Sequence, residues 1–374
     1  MDNNTNLIDY LNNGIETIVK GAVRASLKNP RESIFIAKFV LANKRAEKIR
    51  GDFERKGRHI PSFLIASITK SCNLNCTGCY ARAIQGCKDN NESDVKDNSG
   101  GCKTDESLLA SGEWSRIFKE AEEIGINFIL LAGGEPLLRQ DVIETASKFR
   151  NVVFPVFTNG TLLDGEYLDL FDSHRNLIPV LSIEGDIEET DSRRGAGIFA
   201  KLTERMTALQ KRGILYGASI TVTKENILNV TSDSFISSLY DKGCKVIIFV
   251  EYVPVSADTV DIAPGDAERE LLESRLVDIR ALFDDCIIVS FPGDEKASGG
   301  CLAAGRGFFH INANGGAEPC PFSPYSDTNI RNISLLQALD SPLFQKIQSD
   351  DILIGEHQGG CVLFEQEEAV KKLL

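Results

Sequence analysis

From Pro61 onward, short β-branched segments alternate with longer amphipathic ones, and this rhythm restricts the chain to parallel α/β architectures. The strand candidates are Phe63 to Ile68, Phe128 to Ala132, Val152 to Phe157, Pro179 to Ile183, Tyr216 to Val222, Val246 to Tyr252 and Ile287 to Phe291. Helical patterns fall between them, among them Ser111 to Ile124, Asp141 to Phe149, Phe199 to Arg212, Ser232 to Lys242 and Pro264 to Phe283. Strands that follow one another through helices pair in parallel, with right-handed crossovers. At 374 residues the chain exceeds the size at which a single core stops growing, so one large domain with additions is expected.

Two stretches depart from the alternation. Residues 85–106, which include DNNESDVKDNSGG, have too few apolar side chains for a core and read as a long loop or lid. After Ser298 the composition turns to Gly, Pro, Ser and Cys, which predicts a small irregular C-terminal module.

Cysteine is the informative residue type. The chain has ten, and in a reducing compartment clustered cysteines indicate metal ligation or redox chemistry. Directly after the first strand stand Cys72, Cys76 and Cys79, spaced CxxxCxxC. Three thiolates in one short loop can wrap a cubane iron-sulfur cluster, whose usual complement is four, leaving one iron open to a small molecule. A structural zinc loop or three buried thiols is the alternative. Cys244 and Cys286 sit in apolar strand contexts and read as buried small hydrophobes. The four histidines, His59, His174, His310 and His357, show no ligand spacing.

Other polar motifs also fall where a strand ends and a helix begins. Gly133-Gly134-Glu135-Pro136 follows the second strand; its glycines permit close backbone approach, and its carboxylate or exposed carbonyls could accept hydrogen bonds from an ammonium group. Thr158-Asn159-Gly160 closes the third strand and Ser182-Ile183-Glu184-Gly185 the fourth, with Arg193-Arg194-Gly195 next. Arginine suits a two-pronged grip on a carboxylate, and either of the pair could face inward. In a parallel sheet these positions share the carboxyl edge, where loops build active sites. Later strand ends add Thr223, Asn226, Glu251, Tyr252, Asp294, Glu295 and Lys296 as candidate substrate contacts, of which Glu251, Tyr252 and Asp294 are the catalytic candidates; each could equally be a solvated loop residue.

Over roughly residues 60–330 these motifs resemble, in order and placement, those of the radical S-adenosylmethionine enzymes. The resemblance implies a partial parallel (β/α)6 barrel over 60–297, an N-terminal helical pair over 1–59 and a small C-terminal iron-sulfur module over 298–374. It implies that Cys72, Cys76 and Cys79 hold a [4Fe-4S] cluster with an open iron site. It assigns Tyr80, Gly133, Gly134, Glu135, Pro136, Asn159, Ser182, Glu184, Arg193 and Arg194 to S-adenosyl-L-methionine. The implied reaction is reductive cleavage of that cofactor to a 5'-deoxyadenosyl radical, then hydrogen abstraction from a peptide, lipid or small molecule. The implied electron donor is a flavodoxin or ferredoxin. A non-catalytic electron-transfer or scaffold protein is the alternative.

Cys301, Cys320 and Cys361, with Gly305, Ile311, Gly315-Gly316 and Gly359-Gly360, resemble a truncated SPASM or twitch extension. Such extensions hold auxiliary clusters on about seven cysteines; three remain here, which implies one auxiliary iron-sulfur cluster without a fourth cysteine in the segment. Its fourth ligand is expected from a residue elsewhere, such as Cys87 or Cys102, or from the substrate; a zinc knob or a packed module without metal is the alternative. The stretch from Asn329 to Phe344 reads as the helix that follows in those modules.

Charge narrows the partners. The net charge is -13, which argues against nucleic acid, because phosphate binding needs surplus Lys and Arg. Residues 1–50 alone are basic, with nine Lys or Arg against five acids. One helical stripe there is Ile15, Ile18, Val19, Ala22 and Val23; Asn29-Pro30 then opens a second helix, with Phe35, Phe39, Ala42, Ala46 and Ile49 on one face. These helices either pack on the barrel's open side or lie on an anionic membrane. No apolar run is long enough to span a bilayer, and the polar start at Met1 is unlike a signal peptide. A cytoplasmic location is expected, or a peripheral one at the inner face of the membrane through residues 1–50.

Overall fold

A computed structural model describes residues 30–83, 108–254, 257–298, 300–349, 353 and 361–374. The expected helix around Ile15 to Val23, the polar segment 85–106 with Cys87 and Cys102, the side chain of Lys296, and His357 with Gly359-Gly360 lie outside the described residues.

The strands form one sheet in the order β7-β6-β5-β4-β3-β2-β1-β8-β9. They are β1 (Phe63–Thr69), β2 (Phe128–Gly133), β3 (Phe154–Thr158), β4 (Leu177–Ile183), β5 (Gly217–Val222), β6 (Val246–Glu251), β7 (Ile287–Phe291), β8 (Phe308–Ile311) and β9 (Ala317–Glu318). β1 to β7 pair in parallel in chain order, each with the next. This is the parallel pairing that alternation implied, in the open, partial-barrel arrangement that the resemblance implied. β8 lies beyond residue 298, yet it joins β1 in parallel, and β9 folds back antiparallel on β8. The irregular C-terminal segment therefore extends the sheet itself.

Register separates the two faces. One carries Leu131, Val156, Leu181, Ala218 and Ile247, fully or almost fully buried. This apolar layer belongs to the main core with the helices Ser111–Ile124 and Ile198–Arg212, through Ile117, Phe118, Leu202 and Met206. The other face is polar toward its carboxyl edge: Ser182 sits beside Ser219 in register, and His310 shares the face with Ser67. A site is thereby offered where the strands end.

The helix Pro30–Glu54 covers the opposite edge. Ile36 packs with Leu215 and Ile287, and Phe39 with Val153, at the starts of β5, β7 and β3. Its buried face is Glu32, Ile36, Phe39, Asn43, Ala46 and Arg50, rotated from the expected stripe because three polar residues find partners. Glu32 accepts from Arg175 Nη1 at 2.5 Å and the Leu215 amide at 3.1 Å; Asn127 Nδ2 donates to Asn43 Oδ1 at 3.2 Å; Arg50 donates to the Gly125 carbonyl at 2.6 Å. The helix packs on the barrel, at the amino ends of the strands and not on the open side that was expected. No described helix is long and apolar enough to cross a membrane.

The single helix expected up to Phe344 is instead two, Leu335–Leu339 and Pro342–Ser349. Ser334 caps the first, and Pro342, which lacks an amide donor, opens the second as a first-turn residue.

Candidate functional site

Four strand ends grip the loop that follows β1. From β2, the Gly134 amide donates to the Thr69 carbonyl at 2.9 Å and the Glu135 amide to the Ser71 carbonyl at 2.8 Å. A Cβ at Gly134 would overlap the Ser71 carbonyl oxygen, so only glycine permits this approach. From β3, Asn159 Nδ2 donates to Asn73 Oδ1 at 2.9 Å and lies 4.0 Å from Cys72 Sγ. Beyond β4, Arg193 exchanges two hydrogen bonds with Thr77, its Nε donating at 3.2 Å and its carbonyl accepting at 3.0 Å. After β6, the buried Tyr252 hydroxyl lies where a side chain on Gly78 would stand, and it has no hydrogen-bond partner. Within this frame Cys72, Cys76 and Cys79 are half-buried.

Two buried carboxylates organise the frame, and they do different work. Glu135, 1% exposed, accepts from Thr158 Oγ1 at 2.7 Å, the Asn159 amide at 2.8 Å and the Leu137 amide at 3.0 Å. Burial pushes its carboxyl up, opposed by those bonds. Its carboxylate thus ties the β2 turn to the β3 turn, which leaves the backbone of the turn as the element able to meet an ammonium group. Glu184, also 1% exposed, receives Arg193 Nη1 at 2.5 Å and Arg194 Nε at 2.8 Å. Both arginines therefore turn inward to one carboxylate, and Arg193 also reaches Thr221 Oγ1 at 2.8 Å. The second oxygen of Glu184 is buried without a hydrogen-bond partner.

Burial outweighs charge at the thiols of Cys72 and Cys76. Burial pushes Cys72 up to about 11 and also raises Cys76, where Arg194 and Arg193 oppose the rise. Burial pulls the Arg194 guanidinium down, but Glu184 and the thiols of Cys76 and Cys79 more than offset it. Soft thiol donors facing fixed cations suit an iron-sulfur cluster, because ligation requires thiolates.

A second thiol site lies beside the end of β7. Cys301 (5% exposed), Cys320 (3%), half-buried Cys361 and Glu295 (3%) line one small pocket with Phe291 and Phe322. The thiol of Cys320 is hydrogen-bonded to Cys361, which lowers the Cys361 pKa, whereas burial raises Cys301 and Cys320 well above the usual thiol range. Burial, then the nearby Cys361, pushes the Glu295 carboxyl up to about 8. This donor set also fits a cluster. Among the described residues, no three His, Cys, Asp or Glu side chains converge as a single ion requires.

The remaining candidates separate. Glu251 lines the second pocket and accepts from Arg269 Nε at 3.1 Å. Asp294 engages Arg280 Nη2 at 2.8 Å and the Ser290 amide at 2.8 Å. Thr223 and Asn226 bond each other, and Asn226 donates to the Glu184 carbonyl at 2.9 Å. Tyr80, next to Cys79, meets Phe322, two residues past Cys320, with ring centroids 5.1 Å apart and planes inclined by 58°, so the two thiol sites touch through aromatic rings. Sequence reasoning had no account of His310, whose ring bridges Glu318 Oε2 at 2.6 Å and Ser67 Oγ at 2.8 Å in full burial and ties β8 to β1. No periodicity signals such a contact between residues 243 apart.

Comparison with known proteins agrees with this geometry. Residues 66–227 match the family described as the Radical SAM superfamily. The AdoMet-dependent heme synthase of Methanosarcina barkeri is 25% identical over 79% of this chain and 87% of its own length. The PqqA peptide cyclase of Granulibacter bethesdensis is 22% identical over 78% of this chain and 77% of its own length. Among solved structures, Streptococcus suis SuiB bound to the precursor peptide SuiA superposes with a TM-score of 0.61 and 17% identity, over 87% of this chain and 73% of that one. At that identity the likeness speaks for the fold.

Proposed function

The chain belongs to the radical S-adenosylmethionine superfamily, and from that premise we propose that it is an enzyme which cleaves S-adenosylmethionine at the Cys72–Cys76–Cys79 loop and abstracts hydrogen from a peptide. The cofactors are a [4Fe-4S] cluster and S-adenosyl-L-methionine, with an auxiliary iron-sulfur cluster. When bound, the first cluster supplies the open iron that chelates the amino acid end of S-adenosylmethionine and the electron that breaks its sulfonium bond. One observation carries the reading: the motif-bearing ends of β2, β3 and β4 meet the loop after β1, which holds a half-buried triad of thiols at the carboxyl edge of the barrel.

The chain's own groups divide the remaining work. Cys72, Cys76 and Cys79 are the ligands of the first cluster. The Gly133-Gly134 turn faces the amino group of the cofactor with backbone, while Glu135 holds that turn in place. Arg193 and Arg194, set by Glu184, present guanidinium to its carboxylate, and Asn159, Ser182 and Tyr80 complete its surroundings. Cys301, Cys320 and Cys361 hold the auxiliary cluster. A flavodoxin or ferredoxin supplies the electron.

The peptide substrate rests on the relatedness to PqqA peptide cyclase along most of both chains. A small-molecule substrate is the second reading, favoured by the equally extensive match to the heme synthase. To test both, the anaerobically reconstituted full chain is given S-adenosylmethionine and dithionite, and 5'-deoxyadenosine is assayed with deuterated peptide or tetrapyrrole. Deuterium in the nucleoside from one class assigns the substrate. Absence of the nucleoside from fully loaded protein overturns the reading.

A further inference from the structure

The second thiol site has three cysteines where a cubane takes four ligands, and the pocket itself contains another donor. Resting on the auxiliary-cluster reading above, we propose that Glu295 is the fourth protein ligand of that cluster. Glu295 lies in the short 3-10 helix Gly293–Ser298, between β7 and Cys301. It is 3% exposed and lines the same small pocket as Cys301, Cys320 and Cys361. Its carboxyl is hydrogen-bonded to the Cys301 thiol and the Leu302 amide, and Cys361 is close enough to act on it electrostatically. All three thiols therefore share one space with this carboxyl.

The pocket's other carboxylate does not compete. Glu251 accepts from Arg269 Nε at 3.1 Å, an ion pair that compensates its charge. Asp294, adjacent in sequence, is held by Arg280 and caps the Ser290 amide. Arg306, the cation acting on Glu295, donates to the Cys301 carbonyl at 2.5 Å. Three thiols and a carboxyl, walled by Phe291 and Phe322, form a costly desolvated group of acids. Cationic iron compensates all four when they bind as anions. Carboxylate oxygen is a recognised iron donor, though harder than thiolate, so this cluster would be site-differentiated.

The test uses the full chain carrying Cys72→Ala, Cys76→Ala and Cys79→Ala, so that only the second site can load, reconstituted anaerobically with iron and sulfide. Iron and acid-labile sulfide analysis, Mössbauer spectra and reduced-state EPR are compared for this parent, Glu295→Ala, Glu295→Cys, Glu251→Gln and the Cys87→Ala/Cys102→Ala pair. The expected parent holds about four irons per chain. Glu295→Ala should lose about a quarter of that iron on mild oxidation, giving a three-iron cluster. Glu295→Cys should keep all the iron with a shifted spectrum, which also shows that the pocket still folds. Glu251→Gln and the cysteine pair should match the parent.

A loaded parent whose spectrum and iron are unchanged by Glu295→Ala and Glu295→Cys overturns the Glu295 assignment alone. So does loss of the fourth iron from the cysteine pair instead. A parent that takes up no iron removes the auxiliary cluster from the proposed function and this assignment with it.

Discussion

The two thiol sites use the same donor in opposite settings. Cys72, Cys76 and Cys79 are half-buried on a loop faced by two inward-turned arginines, whereas Cys301 and Cys320 are buried beside a carboxyl and aromatic rings. A loop with exposed neighbours such as Asn73, Asn75 and Thr77 admits a small molecule, and fixed guanidinium favours one that presents a carboxylate. An enclosed pocket suits a cluster that stores or relays an electron. Ligand type alone therefore does not assign a role; access and the sign of the facing charge do.

The sharpest way to break this contrast is to delete thiols from each side. Cys72→Ala, Cys76→Ala or Cys79→Ala should abolish 5'-deoxyadenosine formation. Cys301→Ala, Cys320→Ala or Cys361→Ala should leave it within about tenfold of the parent while substrate turnover is lost. Nucleoside yield by chromatography decides, and six variants behaving alike would end the division of labour.

Glu184→Gln probes the charge that distinguishes the first site. Both guanidiniums would lose their buried counter-charge, at a cost of about 3–5 kcal/mol, read by denaturant unfolding of the cluster-free chain. Cofactor affinity should weaken as well, since Arg194 then loses its charged anchor and Arg193 keeps only its neutral partners Thr77 and Thr221. An unfolding midpoint equal to that of the parent would show that the ion pairs contribute nothing.

Gly134→Ala tests whether strand-end packing holds the loop. The added methyl overlaps the Ser71 carbonyl, and relieving the overlap should cost about 1–3 kcal/mol. The first site should then retain less iron after gel filtration than the second, a difference measurable against the same substitution in the Cys301→Ala background.

The smallest effects belong to the aromatic contacts between the sites. Phe322→Ala removes the ring that meets Tyr80; beyond the lost burial, the ring pair itself is worth about 0.5–1.5 kcal/mol. 5'-Deoxyadenosine formation with dithionite should persist, because the first site keeps its ligands. Tyr252→Phe removes a buried hydroxyl that has no hydrogen-bond partner, so stability should change by less than about 1 kcal/mol. A large loss of turnover at unchanged stability would place that hydroxyl against substrate.

Much of the architecture was legible before any coordinates. Strand and helix alternation is local, so seven parallel strands followed from periodicity, and Ser111–Ile124 begins and ends where its pattern does; their arrangement in a partial barrel followed from the family resemblance. The CxxxCxxC spacing is likewise local, since a short loop must bring its thiols together whatever the rest of the chain does. Three features were not legible, and each depends on residues far apart in sequence. The burial of Glu32, Asn43 and Arg50 required partners on other elements. The addition of β8 to β1 joins segments about 245 residues apart, such as Phe63 and Phe308, and no short pattern encodes a pairing at that distance. The inward turn of both Arg193 and Arg194 was decided by one buried carboxylate, and the meeting of Glu295 with three cysteines by the packing of the C-terminal segment against β7. Periodicity and spacing thus determine which elements form and which loop carries the thiols, because those depend on neighbours along the chain. Which charges face each other, and which acid completes a site, is decided only when the sheet brings distant strand ends into one desolvated space.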